Sequence, residues 1–424
     1  MSQSSIVPTR PGTEFPKLFE ELAGKSHCVW LDTASGGGRS LLAAEPIKIF
    51  RGKGECNVFE RLGAELEAWP GYAIGYFGYG LKNDIERLPT RAVDDVQLPD
   101  CWFGFYDDVH LSKVGRDRRA RRVVGDTHGR PGGPSLPTSN FTRDAYRAMI
   151  LRAKEYIAAG DVYQVNLSQR FQCEVDASPA DVYLALRAAN PAPYCAYLDI
   201  GDAQILSTSP ECFLKIHDRH VVTRPIKGTS PRERDPDELL RAPKDNAELL
   251  MITDLERNDL GKVCEFGSIR VRELKRVETY ATVHHLVATV EGTLREGVRH
   301  ADCVRACFPG GSITGAPKIR AMEIIDELEP HARGVYCGAI GYFGPNGESQ
   351  FNIAIRTVVY QRIITGKDAG ATGNQAHGRL TFHAGGGIVA DSEPDAEYKE
   401  TLAKARGIFD GIELLRVRER TLPP

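Results

Sequence analysis

Two pairs of carboxylates in this chain are each spaced three residues apart, which places each pair on one face of a helix. Asp245 and Glu248 form the first pair, and Glu397 and Glu400 form the second. If both pairs line one cavity, their like charges require a hard cation, and carboxylates with water are the ligands that Mg²⁺ prefers. Solvated helix edges, where acidic residues usually lie, are the alternative. The spacing alone is compatible with both arrangements. Lys404 lies on the same helix face as the second pair.

A lysine is placed where it could act as a nucleophile. Lys227 follows Ile226 and lies between Pro225 and Gly228, at the predicted end of a strand. If the side chain points inward, burial lowers the pKa of the amine and makes it a nucleophile or a base. A surface lysine in a turn is the alternative from spacing alone.

Two glycine-rich segments could bring backbone N–H groups close to an anion. The first is residues 308–318, which precede a predicted helix and lack the Walker A pattern. A plain turn before a helix N-terminus is its alternative interpretation. The second is the triplet Gly385–Gly387, which follows a predicted strand and precedes the helix that carries the second acidic pair.

The composition excludes several classes of protein. Net charge is −3, from 54 Lys and Arg against 57 Asp and Glu, so the basic excess typical of a nucleic-acid-binding protein is absent. The densest basic cluster, Arg116–Arg122, is short. No apolar run approaches the roughly 18 residues of a membrane span, and the first residues do not resemble a secretory signal. Ten cysteines without a Cys-x-x-Cys pair predict reduced thiols in a cytoplasmic protein.

The elements that must position these residues alternate irregularly between strands and helices. Short apolar or aromatic runs predict strands at 29–31, 46–50, 72–77, 101–106, 162–171, 335–343, 351–363 and 379–384. Apolar residues at helical spacing predict helices from Thr142, as N-cap, to Gly160, and at 237–260, 301–307, 316–328 and 396–415. This order favours an α+β fold with antiparallel sheets.

A subdomain boundary is predicted near residue 140. Residues 125–140 are rich in Gly, Pro and Ser and predict an exposed loop. The boundary separates an N-terminal subdomain, 1–140, from a second region, 141–424; the family resemblance given below implies that the first contributes to a layered fold and that the second is the catalytic region.

Four motifs in order resemble the chorismate-utilising enzymes, a family that contains anthranilate, aminodeoxychorismate, isochorismate and salicylate synthases. They are residues 225–229, 254–261, 310–318 and 384–392. The resemblance covers about 141–415 and, more weakly, extends back to about 29. It implies an α+β fold of two facing antiparallel β-sheets with helices packed outside and an active site in the cleft between the sheets.

Two positions distinguish the members of this family. Isochorismate and salicylate synthases have a water-activating lysine where this chain has Gln164, so the resemblance favours an amine nucleophile over water. Anthranilate synthases have alanine where this chain has Lys227, which resembles the aminodeoxychorismate synthases. The resemblance thus implies amination of chorismate at C4 for p-aminobenzoate and folate synthesis, with ammonia supplied by a glutamine amidotransferase subunit. An anthranilate synthase component I is the nearest alternative, and a non-catalytic chorismate-binding relative is a third.

The resemblance also implies roles for individual residues. Lys227 would attack C2 of the ring, Glu211 would transfer protons and His285 would lie beside the ring. Mg²⁺ would be held by Glu248 and Glu400, with Asp245 and Glu397 close by or acting through water. The residues implied in substrate binding are Gly228, Thr229, Thr314, Tyr336, Arg356, Gly385, Gly387 and Lys404.

Overall fold

The structure is a computed structural model that describes residues 6–8, 15–35, 39–113, 135–280, 283–363 and 377–421. The basic cluster Arg116–Arg122 and most of the predicted loop at 125–140 lie outside these residues. No helix in the described ranges is long and apolar enough to cross a membrane.

The described residues form two large β-sheets. Their strands are β1 (Ile6–Pro8), β2 (Val29–Asp32), β3 (Arg39–Ala43), β4 (Lys48–Gly52), β5 (Tyr72–Phe77), β6 (Cys101–Tyr106), β7 (Val109–Lys113), β8 (Thr138–Ser139), β9 (Gln164–Val175), β10 (Tyr194–Asp199), β11 (Gln204–Ser209), β12 (Cys212–His217), β13 (His220–Arg224), β14 (Ile226–Pro231), β15 (Arg270–Thr279), β16 (Val283–Thr293), β17 (Gly315–Ala316), β18 (Ala339–Gly344), β19 (Glu348–Ile353), β20 (Thr357–Arg362) and β21 (Gly378–Ile388).

The first sheet has the order β1-β7-β3-β2-β10-β11-β20-β21-β9-β17, with β8 paired to β9. The second has the order β14-β16-β13-β12-β19-β18-β5-β6-β4, with β15 paired to β16. All pairs are antiparallel except β1 with β7 at the edge of the first sheet. Strands that precede residue 140 occur in both sheets, where β2 pairs with β10 and β5 pairs with β18. The boundary near residue 140 stays a prediction.

One apolar cluster joins the two sheets face to face. It contains Val29 and Leu198 from the first sheet together with Tyr76, Trp102 and Ile340 from the second, all buried. The alternation of side chains along a strand points these residues toward the facing sheet. The predicted α+β fold with two facing antiparallel sheets is therefore confirmed.

Helices cover the outer faces of both sheets. Their bounds are α1 (Phe15–Leu22), α2 (Val58–Glu67), α3 (Lys82–Ile85), α4 (Arg143–Ala158), α5 (Pro179–Ala189), α6 (Asp237–Arg241), α7 (Pro243–Gly261), α8 (His300–Cys307), α9 (Lys318–Leu328) and α10 (Pro394–Thr421). Phe19 of α1 and Ile408 of α10 pack in one cluster with the first sheet. Phe59 of α2 and Val304 of α8 pack in another with the second sheet.

Several helix limits follow from local chemistry. Thr142 caps α4 as predicted, because its Oγ1 accepts a hydrogen bond from the Ala145 N–H at 3.2 Å. The helix predicted over 237–260 is instead two helices, since α6 ends at Arg241 and Pro243 begins α7. Proline is tolerated in the first turn of a helix but not in its interior. The break gives Asp245 and Glu248 a place near the N-terminus of α7.

Candidate active site

Lys227 lies on β14 and is half-buried. Its Nζ donates a hydrogen bond to the Ser312 carbonyl oxygen at 3.2 Å. Burial lowers the pKa of Lys227, whereas the carboxylates of Glu248 and Glu211 act in the opposite direction and only partly offset it. A lysine with a lowered pKa holds a larger fraction of the neutral, nucleophilic amine at neutral pH.

Glu211 is a buried acid whose carboxyl group interacts electrostatically with Lys227. Its side chain is buried just before β12, its Oε1 has no hydrogen-bond partner, and its backbone N–H donates to Ser209 Oγ at 3.2 Å. Burial raises the pKa of Glu211, and the positive charge of Lys227 offsets part of that rise. A carboxyl group with a raised pKa beside an amine with a lowered pKa is the pattern of an acid–base pair.

The two acidic pairs converge beside Lys227. Lys244 Nζ lies 3.5 Å from Glu397 Oε1 and so connects the start of α7 with the start of α10. Burial raises the pKa values of Asp245 and Glu248, and the negative charge of Glu400 raises both further. The two acidic pairs therefore lie near each other, with Glu400 at the exposed side of the group, and their role in holding a cation stays a prediction.

Glycines bring the strand ends close to these carboxylates. A Cβ at Gly228 would lie 3.1 Å from Asp245 Cγ, and a Cβ at Gly386 would lie 3.5 Å from both Glu397 Oε2 and Glu400 Oε1. Gly228 also has a φ of 68°, which disfavours any other residue. The ends of β14 and β21 thus border the acidic group directly.

One carboxylate oxygen of the acidic group is buried without a partner in the described residues. Glu397 is buried, its Oε1 accepts a hydrogen bond from Ser392 Oγ at 2.6 Å, and its Oε2 has no partner. Lys404 Nζ lies 2.7 Å from Glu400 Oε1. No three His, Cys, Asp or Glu side chains in the described ranges are arranged as a metal cluster. The unpartnered oxygen of Glu397 could bind a cation that keeps several waters, as Mg²⁺ does. The Mg²⁺ site stays a prediction.

A second part of the site is cationic. Arg356 donates from Nη1 to Asn190 Oδ1 at 3.0 Å and has no ion pair with a carboxylate in the described residues. Burial lowers the pKa of this guanidinium. An arginine in such a position is suited to bind an anion that enters from solution.

His285 lies on β16, close enough to Arg356 to be affected by its charge. Thr229 Oγ1 and His285 Nδ1 are 2.9 Å apart, and the Tyr280 ring lies 5.5 Å from the His285 ring. Burial, and then the positive charge of Arg356, lower the pKa of His285 to about 4. His285 is therefore neutral at physiological pH, and it shares the β14–β16 strand pair with Lys227.

The glycine triplet faces an amide whose polar atoms are free. A Cβ at Gly387 would lie 1.9 Å from Gln164 Nε2, and a Cβ at Gly385 would lie 2.3 Å from the Leu167 carbonyl oxygen. Both side-chain polar atoms of Gln164 are buried and without a partner. Only glycine at these positions lets β21 approach β9 so closely. The arrangement leaves Gln164 available to a ligand.

The other two predicted contact residues have internal partners. Thr314 is buried and donates from Oγ1 to the Gly310 carbonyl oxygen at 3.1 Å. The Tyr336 ring stacks on the His383 ring with centroids 5.1 Å apart. Their roles in substrate binding stay predictions, as do those of the other predicted site residues.

The segment 308–318 was expected to bring backbone N–H groups close to an anion just before a helix, but its glycines do not lead directly into one. Residues 311–313 form a short 3₁₀ turn, β17 follows, and α9 begins only at Lys318. Lys318 Nζ binds the Pro309 carbonyl oxygen at 2.7 Å and Asp259 Oδ2 at 2.5 Å. The segment is therefore held from within by a lysine, and it offers the Ser312 carbonyl group to Lys227.

Sequence reasoning missed three groups that the structure adds to the site: Ser312, Lys244 and Asn190. Ser312 and Lys244 each adjoin a residue or motif that was recognised, which is the only signal they carry. Asn190 has no local signal, because it meets Arg356 from 166 residues away.

The model of the chorismate binding enzymes matches residues 26–410. The chain belongs to this family of enzymes, as the four motifs predicted. It is 41% identical over 393 residues to anthranilate synthase component 1 of Thermus thermophilus, covering 84% of this chain and 82% of that protein. It is 36% identical over 462 residues to aminodeoxychorismate synthase component 1 of Bacillus subtilis, covering 94% and 95%.

Solved structures agree with the fold. The crystal structure of anthranilate synthase component I from Streptococcus pneumoniae superposes with a TM-score of 0.72 at 30% identity, covering 88% of this chain and 92% of that chain. Relatives with two different names therefore match well, so overall similarity does not by itself separate the two reactions.

Proposed function

We propose that this enzyme aminates chorismate at C4 with ammonia, giving 4-amino-4-deoxychorismate, which is the reaction of an aminodeoxychorismate synthase component I and would be classified as a transferase. The observation that carries the proposal is the half-buried Lys227 with a lowered pKa beside the buried Glu211. Several relatives with that name support it, among them the Escherichia coli protein at 42% identity over 364 residues.

Two displacements account for the chemistry. The neutral amine of Lys227 attacks C2, the ring double bonds shift, and the C4 hydroxyl leaves as water with the proton of Glu211. Ammonia then adds at C4, the double bonds shift back, and the C2–N bond breaks to release the lysine amine. The Glu211 carboxylate takes a proton from the added ammonium group, so that acid and nucleophile both return to their starting states.

Binding is divided between the two parts of the site. The guanidinium of Arg356 and the backbone N–H groups of the glycine triplet would bind the enolpyruvyl carboxylate, with His285 and Thr229 beside the ring. Glu248 and Glu400 would hold Mg²⁺, with Asp245 and Glu397 nearby; when bound, the cation neutralises the ring carboxylate of chorismate.

An anthranilate synthase component I is the alternative, and the Thermus thermophilus relative favours it. That reaction aminates C2 and releases an aromatic product, and it needs no covalent lysine adduct. A half-buried lysine with a lowered pKa beside Glu211 therefore disfavours the alternative. A regulatory relative that binds chorismate without turnover is disfavoured for the same reason, since it would need neither Lys227 nor Glu211.

The deciding experiment is mass spectrometry of the products formed from chorismate, Mg²⁺ and ammonium. We expect a product with the mass and retention time of authentic 4-amino-4-deoxychorismate, and none when EDTA removes Mg²⁺. Fluorescent anthranilate formed directly from chorismate would contradict the proposal, and tight chorismate binding without any product would support a regulatory relative.

A partner is part of the proposal. Names of the relatives as component 1 support a second subunit, and we propose a glutamine amidotransferase that supplies ammonia. Adding that subunit with glutamine should replace ammonium as the nitrogen source. A cytoplasmic location, inferred from the cysteines, stays a prediction.

A further inference from the structure

One cavity in the described residues lies outside the candidate active site. Its volume is about 420 Å³, within the range of small-molecule pockets, roughly 300–1,000 Å³. It lies between the segment 90–100, the end of α9 and strands β20 and β21. Tyr336 is the only predicted site residue in its wall.

The acidic side chains of the cavity wall all have partners. Glu329 is paired with Arg333 at 2.7 Å. Asp326 Oδ2 accepts a hydrogen bond from the Arg91 N–H at 2.8 Å, and Asp100 Oδ2 accepts one from the Gly54 N–H at 2.9 Å. The remaining acids are similarly engaged: Glu55 with Arg61, Asp84 with the N–H groups of Asn57 and Val58, and Asp94 with Lys53. The acidic side chains of the wall therefore do not require a bound cation as a partner.

The donors of the same wall are incompletely used. Lys82 is 5% exposed, and among the described residues its Nζ makes one hydrogen bond, at 3.2 Å to Asn83 Oδ1, although an ammonium group can donate three. Tyr79 is 4% exposed, and its hydroxyl has no hydrogen-bond partner in the part of the chain that the structure describes. His383 is 7% exposed, and the same is true of its Nε2. Unpaired buried polar groups are costly, so each of these is a candidate contact for a ligand.

Two of these donor residues lie close together. Lys82 Nζ is 5.8 Å from the centre of the Tyr79 ring, and we call this part of the cavity the Lys82–Tyr79 corner. Beside that corner the wall is apolar and partly aromatic, with Leu81, Leu98, Val359 and Phe382. An anionic oxygen at the corner and a flat apolar body along the wall would satisfy both features.

We propose that this cavity is a binding site for a small aromatic monocarboxylate, whose carboxylate accepts hydrogen bonds from Lys82 and Tyr79. The ring lies against Phe382 and Val359, and His383 borders it. The proposal does not depend on the reaction performed at the candidate active site. The two sites are neighbours through Tyr336, which lines the cavity and stacks on His383.

The experiment is calorimetric titration of the full chain with benzoate and, separately, with benzamide, which has the same ring without the charge. We expect saturable binding of benzoate at one equivalent and much weaker binding of benzamide. Lys82→Met keeps the side-chain length without the ammonium group and should weaken benzoate binding by about tenfold or more. Tyr79→Phe keeps the ring and should weaken it by roughly threefold to tenfold.

Arg356→Met is the matched control, because benzoate could instead bind at the predicted carboxylate site. The dissociation constant should be unchanged in this variant, and a benzoate-soaked crystal structure should show the carboxylate within hydrogen-bond distance of Lys82 Nζ. No saturation up to about 10 mM benzoate, unchanged binding by Lys82→Met, or binding that depends on Arg356 would each overturn the proposal. If Lys82→Met fails to fold, Tyr79→Phe and the crystal structure still decide it. None of these results bears on chorismate turnover, so failure here is distinguishable from failure of the proposed function.

Discussion

Two neighbouring regions bury charged groups in opposite ways. We call Asp259, Lys318, Glu329 and Arg333 the supporting layer. Arg333 binds Glu329 through Nε at 2.9 Å and Nη2 at 2.7 Å, and its Nη1 donates to the Ile313 carbonyl oxygen at 3.1 Å. In the candidate active site, by contrast, no described residue forms an ion pair with Arg356 or a hydrogen bond with Glu211 Oε1.

The difference separates scaffold from site. A buried charge with a full set of partners fixes the elements that it touches, and Arg333 fixes residue 313 beside the carbonyl group that Lys227 binds. A buried polar group without partners carries a free-energy cost that a ligand can relieve. Substitutions in the two regions should therefore affect different quantities, namely stability in the supporting layer and turnover or substrate affinity in the site.

The largest effect is expected from Lys227→Ala. Loss of the nucleophile removes the covalent route, so kcat with chorismate and ammonium should fall by at least about a thousandfold. Chorismate binding in the presence of Mg²⁺, measured by calorimetry, should change by less than about tenfold. Lys25→Ala, at an exposed lysine that pairs with Glu45, serves as the control and should retain full turnover. Unchanged turnover in Lys227→Ala would rule out the nucleophile.

Arg333→Met should reduce the free energy of unfolding by about 3–5 kcal/mol, because Glu329 would keep its hydrogen bonds from Ser168 but lose the positive charge that compensates its buried carboxylate. Urea denaturation measures the loss. The double variant with Glu329→Gln should recover part of it, since the carboxylate charge is then removed as well. Wild-type stability in the single variant would contradict the assignment of Arg333 to the supporting layer.

Arg356→Met should act on affinity instead. Without the guanidinium the KM for chorismate should rise by roughly tenfold to a hundredfold, the value of a hydrogen-bonded charge. The free energy of unfolding should change by no more than about 1 kcal/mol, since only the hydrogen bond to Asn190 is lost. A large loss of stability with unchanged KM would reverse the comparison between the two arginines.

The sequence predicted the parts of this arrangement that depend on local spacing. The N-cap at Thr142 and the shared faces of the acidic pairs follow from contacts within one turn or two of a helix, whereas spacing alone left the position of Lys227 open between an inward and a surface side chain. The family motifs add the fold and the relative order of the site residues.

The remainder depends on contacts between distant parts of the chain. The strand predicted over 351–363 is two strands, because the chain leaves the second sheet after Ile353 and enters the first at Thr357. Arg356 lies in that crossing with a φ of 49°. No Gly or Pro marks the crossing in the sequence, so the whole stretch resembles one strand. Lys244 likewise meets Glu397 across 153 positions, which no local pattern records.

The smallest predicted effect sharpens the contrast between the arginines and concerns His285. Its pKa of about 4 results first from burial and then from the uncompensated charge of Arg356. A histidine whose folded-state pKa lies below its unfolded value contributes stability above pH 6.5 that is lost as the pH falls toward 4, at up to about 1.4 kcal/mol per pH unit. Removal of the Arg356 charge should therefore raise this pKa and narrow the pH range over which stability is lost.

The test is the pKa of His285 in Arg356→Met. Because burial is the larger cause, the pKa should stay below 6.5 in this variant. NMR titration of the imidazole, assigned with His285→Gln, measures the shift, which should be no more than about one unit. An unchanged pKa would mean that another group already compensates the charge of Arg356 in solution. Arg356 would then be a partnered buried charge like Arg333, and the contrast between the two arginines would be wrong.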